Sequence, residues 1–140
     1  MKVEIVDVSG YDFSIFPAQD ALTRDQWIIV GDCYCRSEER FIGTADNALA
    51  CMWGLIPPTL MSDRAYLWLY HNELVEQHKF AFIRHSQVQV KRMLKSYPLI
   101  VGDCVVSNRT GRRWLEWLGA EFGYPNGEFA PFEIKAKAYG

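Results

Sequence analysis

Apolar positions recur along this chain with two periods, and each change of period marks an element. Val3, Ile5 and Val8 alternate with polar residues over Lys2 to Val8, the pattern of a strand covered on one face, and Ser9-Gly10 breaks it. The stretch YDFSIFPAQDAL predicts a short helical segment in which Phe13, Phe16 and Leu22 turn to a core, with Pro17 limiting it on its N-terminal side. Thr23-Arg24-Asp25-Gln26 has the form of a capping box, a hydroxyl at the cap answered by an amide three residues on. It predicts a helix from Arg24 to about Cys35 that buries Trp27, Val30 and Tyr34. The run Ile28-Ile29-Val30 followed by Gly31-Asp32 would equally suit a strand and turn. A hairpin is predicted from Arg40 to Ala45 and Ala48 to Leu55, around Asp46-Asn47, residues that tolerate positive φ. Ile56 to Arg64 reads as a loop, since Pro57 and Pro58 cannot donate to a ladder.

The most sheet-like run is AYLWLYH, Ala65 to His71. Tyr66, Trp68 and Tyr70 project to one face and Leu67 and Leu69 to the other, so both faces are covered and the strand is central. A long helix is expected from about Glu76 to Ser96, with Phe80, Ile83, Val90 and Leu94 as its core stripe and Arg84, Lys91, Arg92 and Lys95 turned away. Leu99 to Val106 is a buried-type strand. A helix follows, capped by Ser107 or Asn108, with Gly111, Trp114, Leu115 and Leu118 on one side and Arg109, Arg112, Arg113 and Glu116 on the other. Gly119 ends it through a left-handed conformation. Glu121 to Pro125 and Glu128 to Ala138 form a closing hairpin about Pro125-Asn126-Gly127. The order predicts one α/β (α+β) domain over residues 1–140, a mixed central sheet with helices on both faces and a C-terminal β-hairpin.

Composition narrows the function classes. At 49% hydrophobic and 23% charged the 140 residues suit a globular chain. A formal charge of -2 argues against sequence-independent binding of nucleic acid by the whole surface. No apolar run approaches the roughly 20 residues that cross a bilayer, and the start lacks the apolar core of a signal peptide, so the expected location is the cytoplasm. Cys33, Cys35, Cys51 and Cys104 have no framework spacing and are expected as reduced, buried small hydrophobes. His71, His78 and His85 recur every seven residues, a spacing too wide for one zinc shell, and no metal is expected. Arg109, Arg112 and Arg113, bordered by Trp117, read as a solvated helix face able to meet an acidic partner or a phosphate.

The strand followed by Asn108, Gly111, Trp114-Leu115-Glu116, Leu118 and Gly119 resembles the last strand-helix motif of the GNAT superfamily of acyl-CoA-dependent N-acetyltransferases, and the element order of most of the chain agrees. Asp12-Phe13, Phe16, Ala18 and Asp20, with the Asn108 to Phe122 block, are similar to the GNAT-like internal virion protein A family of short-tailed bacteriophages. The superfamily resemblance implies that two adjacent parallel strands part and that the pantetheine arm of acetyl-CoA lies in the gap. Here the strands would be Ala65 to His71 and Leu99 to Val106, with the phosphates over the start of the long helix. Leu69, Tyr70, His71, Gln77, His78, Lys79 and Asn108 would bind the cofactor. The family's phosphate loop reads Gln/Arg-x-x-Gly-x-Gly/Ala, whereas Gln77 to Phe82 here puts Phe80 and Phe82 at the small positions and leaves His78 and Lys79 to act by charge. Many members protonate the departing thiolate with a tyrosine on the last helix, and the matching residue here is Leu115. Tyr70, His71 and Cys104 are the candidate catalytic residues, with Tyr124 a further one; His71 is the candidate base, because an imidazole titrates near neutral pH.

Two functions follow. One is an N-acetyltransferase using acetyl-CoA and an amine acceptor, a protein or a small molecule. The other is a non-catalytic phage module, carried in or assembled with the virion, whose partners are phage or host proteins.

Overall fold

A computed structural model describes residues 2–16, 22–60 and 63–139 of the chain. Seven strands form one mixed sheet in the order β1-β2-β3-β4-β5-β7-β6. β1 (Val3–Asp7), β2 (Glu39–Ala45), β3 (Ala48–Ile56) and β4 (Ala65–His71) make an antiparallel meander. β4 and β5 (Leu99–Val105) are parallel, joined by a crossover containing α2 (Leu74–Gln77) and α3 (Lys79–Ser96). After α4 (Arg109–Trp117) the chain returns as β6 (Glu121–Phe122) and β7 (Phe129–Lys135), both antiparallel to their neighbours. A 3-10 turn, Ala136–Tyr139, takes the place of the last residues expected in the strand.

The capping box decided the ambiguous stretch. Thr23 Oγ1 accepts from Gln26 N and Gln26 Oε1 accepts from Thr23 N, so residues 24–36 form α1 (Arg24–Arg36) rather than strand. Before it, Asp12 caps a 3-10 turn at Phe13–Ile15; Pro17, Ala18 and Asp20 lie outside the described residues. Asp46 and Asn47 take φ of 50° and 69°, as the predicted hairpin requires. Gly119 takes φ of 95° just past α4.

Helices cover both faces. On one face Tyr34 of α1 packs with Val8, Met52, Ile56, Trp68 and Tyr70. On the other, Phe82, Ile83, Val90, Met93 and Leu94 of α3 and Trp114, Leu115 and Leu118 pack with Cys51, Trp53, Leu55 and Leu67. The alternation read from AYLWLYH is thus realised, and β3 is buried on both sides as well.

Three expectations are corrected. The helix expected from Glu76 to Ser96 is two helices, because His78 leaves the helical region at φ −136°, ψ 28°. Phe80 is not in the core: it is 63% exposed, whereas Phe82 is fully buried. Two residues apart on a helix means about 200° of rotation, so only one of the pair can face the sheet. Gly43 makes the room for Phe82, since a Cβ there would lie 2.6 Å from the ring. Finally, Cys35 is exposed and Cys33 half-buried, one step off the Trp27–Val30–Tyr34 stripe, while Cys51 and Cys104 are buried as expected.

Candidate active site

The parallel pair β4 and β5 is zipped only at its start. Ala65 pairs with Ile100 and Tyr66 with Val101, and pairing then stops. The strands still pass close at Gly102, where a Cβ would meet the Leu67 carbonyl oxygen at 2.6 Å and the Phe132 ring at 2.3 Å. Beyond that point β4 follows β3 to the pair Cys51–His71, and β5 follows β7 to the pair Val105–Phe129. Each bank of the opening is therefore held by a full antiparallel ladder. The inner backbone edge of β4 from about Leu69 to His71 is left without a strand partner, a row of donors and acceptors able to hold an extended amide-bearing chain.

At the open end of the slot His71 Nε2 lies 3.0 Å from Asn108 Oδ1. That oxygen also caps α4 by accepting the Gly111 N–H at 2.9 Å. A backbone N–H can only donate, so the side-chain oxygen of Asn108 is fixed as the acceptor and His71 must donate from Nε2. In the neutral ring the lone pair then sits on Nδ1. Trp114 backs the imidazole with ring centroids 6.4 Å apart. The pairing joins residues 37 positions apart, and no local sequence signal announces it.

The other expected catalytic residues are not gathered around His71. Tyr70, its neighbour on the strand, faces α1, with its ring edge-on to Trp27. Its hydroxyl is buried without a hydrogen-bond partner among the described residues, the Asn72 side chain being committed to Leu49 O and Leu74 N. Burial raises the phenol above the ordinary tyrosine value, and Asn72 pulls the other way. Cys104 lies in the core on the α3 side, where burial pushes its thiol up against the opposing pull of Arg112. Leu115 is buried beside Leu69, Trp53 and Trp114 around a gap of only about 10 Å³. Tyr124 is fully solvent-exposed.

Below the slot a groove of about 410 Å³ runs between the start of α3 and α4. Lys79 and Phe80 line one wall and Arg109, Arg113 and Trp117 the other. Among the described residues none of these three cations lies within ion-pair distance of a carboxylate. Arg112 leaves the predicted basic patch and stacks over Phe122 at 4.2 Å. Glu76 also borders the groove and accepts the Thr110 hydroxyl proton, tying α2 to α4.

The α2 turn, just ahead of the Gln77 to Phe82 stretch that stands in place of the glycine loop, spends its own donors. Leu74 N bonds Asn72 Oδ1, and Val75, Glu76 and His78 N bond Asn72, Glu73 and Val75 carbonyls. Phosphate recognition there would fall to Lys79 and the two arginines across the groove, not to α2 amides. Gln77 is exposed beside Lys79. His78 forms the break between the helices and makes no side-chain cap for α3. Among the described residues no group of three His, Cys, Asp or Glu side chains could hold a metal ion, and no helix is long and apolar enough to cross a membrane.

A seven-stranded mixed sheet that splits between two parallel strands beside a helix start defines an open α+β architecture with its ligand slot at the strand ends. That architecture is the GNAT fold. The chain superposes on a GNAT-family protein from Desulfovibrio desulfuricans with TM-score 0.64 at 11% identity, over 96% of this chain and 99% of that one. It superposes on the ribosomal-protein-S18-alanine N-acetyltransferase from Escherichia coli with TM-score 0.61 at 14% identity, over 96% and 94% of the two chains. A spermidine N-acetyltransferase chimera from Vibrio cholerae and hSSAT gives 0.59 at 13% identity, over 99% and 98%. No protein-family model matches the chain, and no curated protein matches it in sequence.

Proposed function

We propose that this chain is an acyl-CoA-dependent N-acyltransferase that moves an acetyl group to an amine. The parting of β4 from β5 after the Tyr66–Val101 pair carries this reading. The residues present fit acetyl-CoA: the free edge of β4 near Leu69 to His71 suits the pantetheine amides, and Lys79, Arg109 and Arg113 suit the phosphates by charge. Acetyl-CoA supplies an acyl group already activated as a thioester. His71, held by Asn108 through Nε2, presents Nδ1 to take the proton that an ammonium acceptor must lose before its nitrogen can bond to carbon. Leu115 offers no acid for the leaving thiolate, so that proton comes from water at the open end of the slot.

A second reading has its own support. The α2 turn consumes its amides, Glu76 puts a carboxylate on the phosphate groove, and Leu115 is apolar; a non-catalytic phage virion module using the same fold accounts for all three. Asp12, Phe13 and Phe16 of the phage likeness lie at the 3-10 turn before α1, and Ala18 and Asp20 fall outside the described residues.

Calorimetry and thermal melts with acetyl-CoA separate the two. The enzyme reading expects saturable heat and a rise in melting temperature, since a ligand at about 100 times its Kd stabilises by roughly 2.7 kcal/mol. Lys79→Glu and Arg113→Glu should each weaken binding, and His71→Ala should abolish thiol release while leaving binding intact. Absence of heat and of any shift at millimolar acetyl-CoA eliminates the enzyme and leaves the virion module.

A further inference from the structure

Arg84 and Lys91 stand on the outer face of α3, both exposed, and among the described residues neither lies within ion-pair distance of a carboxylate. Seven residues of helix separate them, about 10 Å along the axis. Between them Val88 is 63% exposed, and Trp117 of α4, beside it, is 59% exposed. Together they line a groove of about 440 Å³ with no carboxylate on its walls among the described residues. Its shape is fixed by two hydrogen bonds. Gln87 Nε2 donates to the Trp117 carbonyl at 2.8 Å, and the Tyr139 hydroxyl donates to the Leu118 carbonyl at 2.6 Å. These bonds also occupy carbonyls at the end of α4 that would otherwise present negative charge to an incoming anion.

We propose that this groove docks an acidic segment of a partner protein in extended conformation, with two carboxylates three residues apart on Arg84 and Lys91 and the apolar residues between them resting on Val88 and Trp117. The spacing selects the conformation: an extended polyproline-II segment has three residues per turn and advances about 3.1 Å per residue, so positions i and i+3 lie on one face and span about 9 Å, close to the separation of the two cations. Charge complementarity selects the chemistry, because unpaired cations flank an apolar floor on a chain whose formal charge is -2. A nucleic-acid strand fits less well. It would need successive aromatic platforms for its bases, and Val88 offers none. The site goes beyond acyl transfer and lies on the opposite side of Trp117 from Lys79, Arg109 and Arg113, so the two grooves can be altered separately.

The test uses the full chain and a fluorescein-labelled peptide with a Glu-Leu-Leu-Glu centre and uncharged ends, followed by anisotropy. Saturable binding is expected, weakening as salt rises, and falling by about tenfold or more in Arg84→Glu/Lys91→Glu. Val88→Asp should abolish it, and Lys79→Glu should leave it unchanged. Circular dichroism and melting temperature establish that each variant is folded. No binding at millimolar peptide, equal binding of a Lys-Leu-Leu-Lys peptide, binding indifferent to the Arg84 and Lys91 changes, or tighter binding of a thymidine oligonucleotide to the same groove would each overturn the proposal.

Discussion

The indole Nε1–H of Trp114 donates to Ser86 Oγ at 2.8 Å, and the Ser86 hydroxyl donates in turn to the Ile83 carbonyl at 2.9 Å. The opposite face of the sheet repeats the device: Trp68 donates to Ser37 Oγ at 2.6 Å, and Ser37 to the Cys33 carbonyl at 2.7 Å. Ser37 and Ser86 are both buried, and each lets a large indole sit in an apolar core with its polar edge satisfied. Through Ser86 the device fixes the orientation of Trp114, the residue that backs His71.

Ser86→Ala strands that indole proton and should cost about 1–3 kcal/mol in urea denaturation. In a Trp114→Phe background the same change should cost measurably less, because no donor is left unpaired. Equal costs in the two backgrounds would mean that the bond contributes nothing.

Asn108 does two jobs with one oxygen. Asn108→Ala should lose the cap of α4, about 1 kcal/mol, while Asn108→Ser keeps a capping oxygen on a side chain too short to serve His71 as well. Nitrogen-15 spectra should place the neutral His71 proton on Nε2 in the wild type and show a tautomer mixture in Asn108→Ser. A mixture in the wild type would contradict the assigned hydrogen bond.

Gly102 is where β4 and β5 still touch before they part. Gly102→Ala would drive a methyl group into the Leu67 carbonyl and the Phe132 ring, and should destabilise by about 1–3 kcal/mol, since both neighbours are held in ladders. Gly10→Ala, with nothing within 4 Å of the new methyl, should stay within about 0.5 kcal/mol of wild type. Similar losses at both positions would mean that glycine flexibility, not the close approach, sets the cost.

Burial pushes the Cys51 thiol from 9.0 up to about 12. Below pH 9 the thiol keeps its proton in both folded and unfolded chains, so its contribution is full. As pH rises from 9 towards 12 the unfolded chain ionises first, and stability should fall by up to roughly 1.4 kcal/mol per pH unit from this group alone. Tyr139, raised by burial to about 12, steepens the upper part of the same window. Cys51→Ala should flatten the decline relative to wild type, and an unchanged slope would contradict the assignment. In the native protein at neutral pH a thiol reagent should label the exposed Cys35 first and Cys51 only on unfolding.

Much of the fold was legible because its signals are local. The Thr23–Gln26 box, the Asp46-Asn47 turn, the alternation of AYLWLYH and a cap at Ser107 or Asn108 each act within a few residues; each appears where the pattern put it, and of the two cap residues the structure uses Asn108. What failed locally was phase. One aberrant backbone at His78 broke the long helix, and of the two apolar residues Phe80 and Phe82 the periodicity chose Phe80 for the core, whereas Phe82 faces the sheet. The space at Gly43, supplied by a strand far away in the chain, decided for Phe82.

The site was legible only in part, for the same reason. Residue types told of an imidazole at a strand end and of cations at a helix start. That His71 meets Asn108, that Tyr70 is turned away from it, and that Lys79 faces Arg109 and Arg113 across a groove depend on the separation of β4 from β5, which no short stretch encodes. Periodicity is a property of neighbours along the chain and so is written in the sequence; a slot is the distance between two ladders, and that is set only once every strand has chosen its partner.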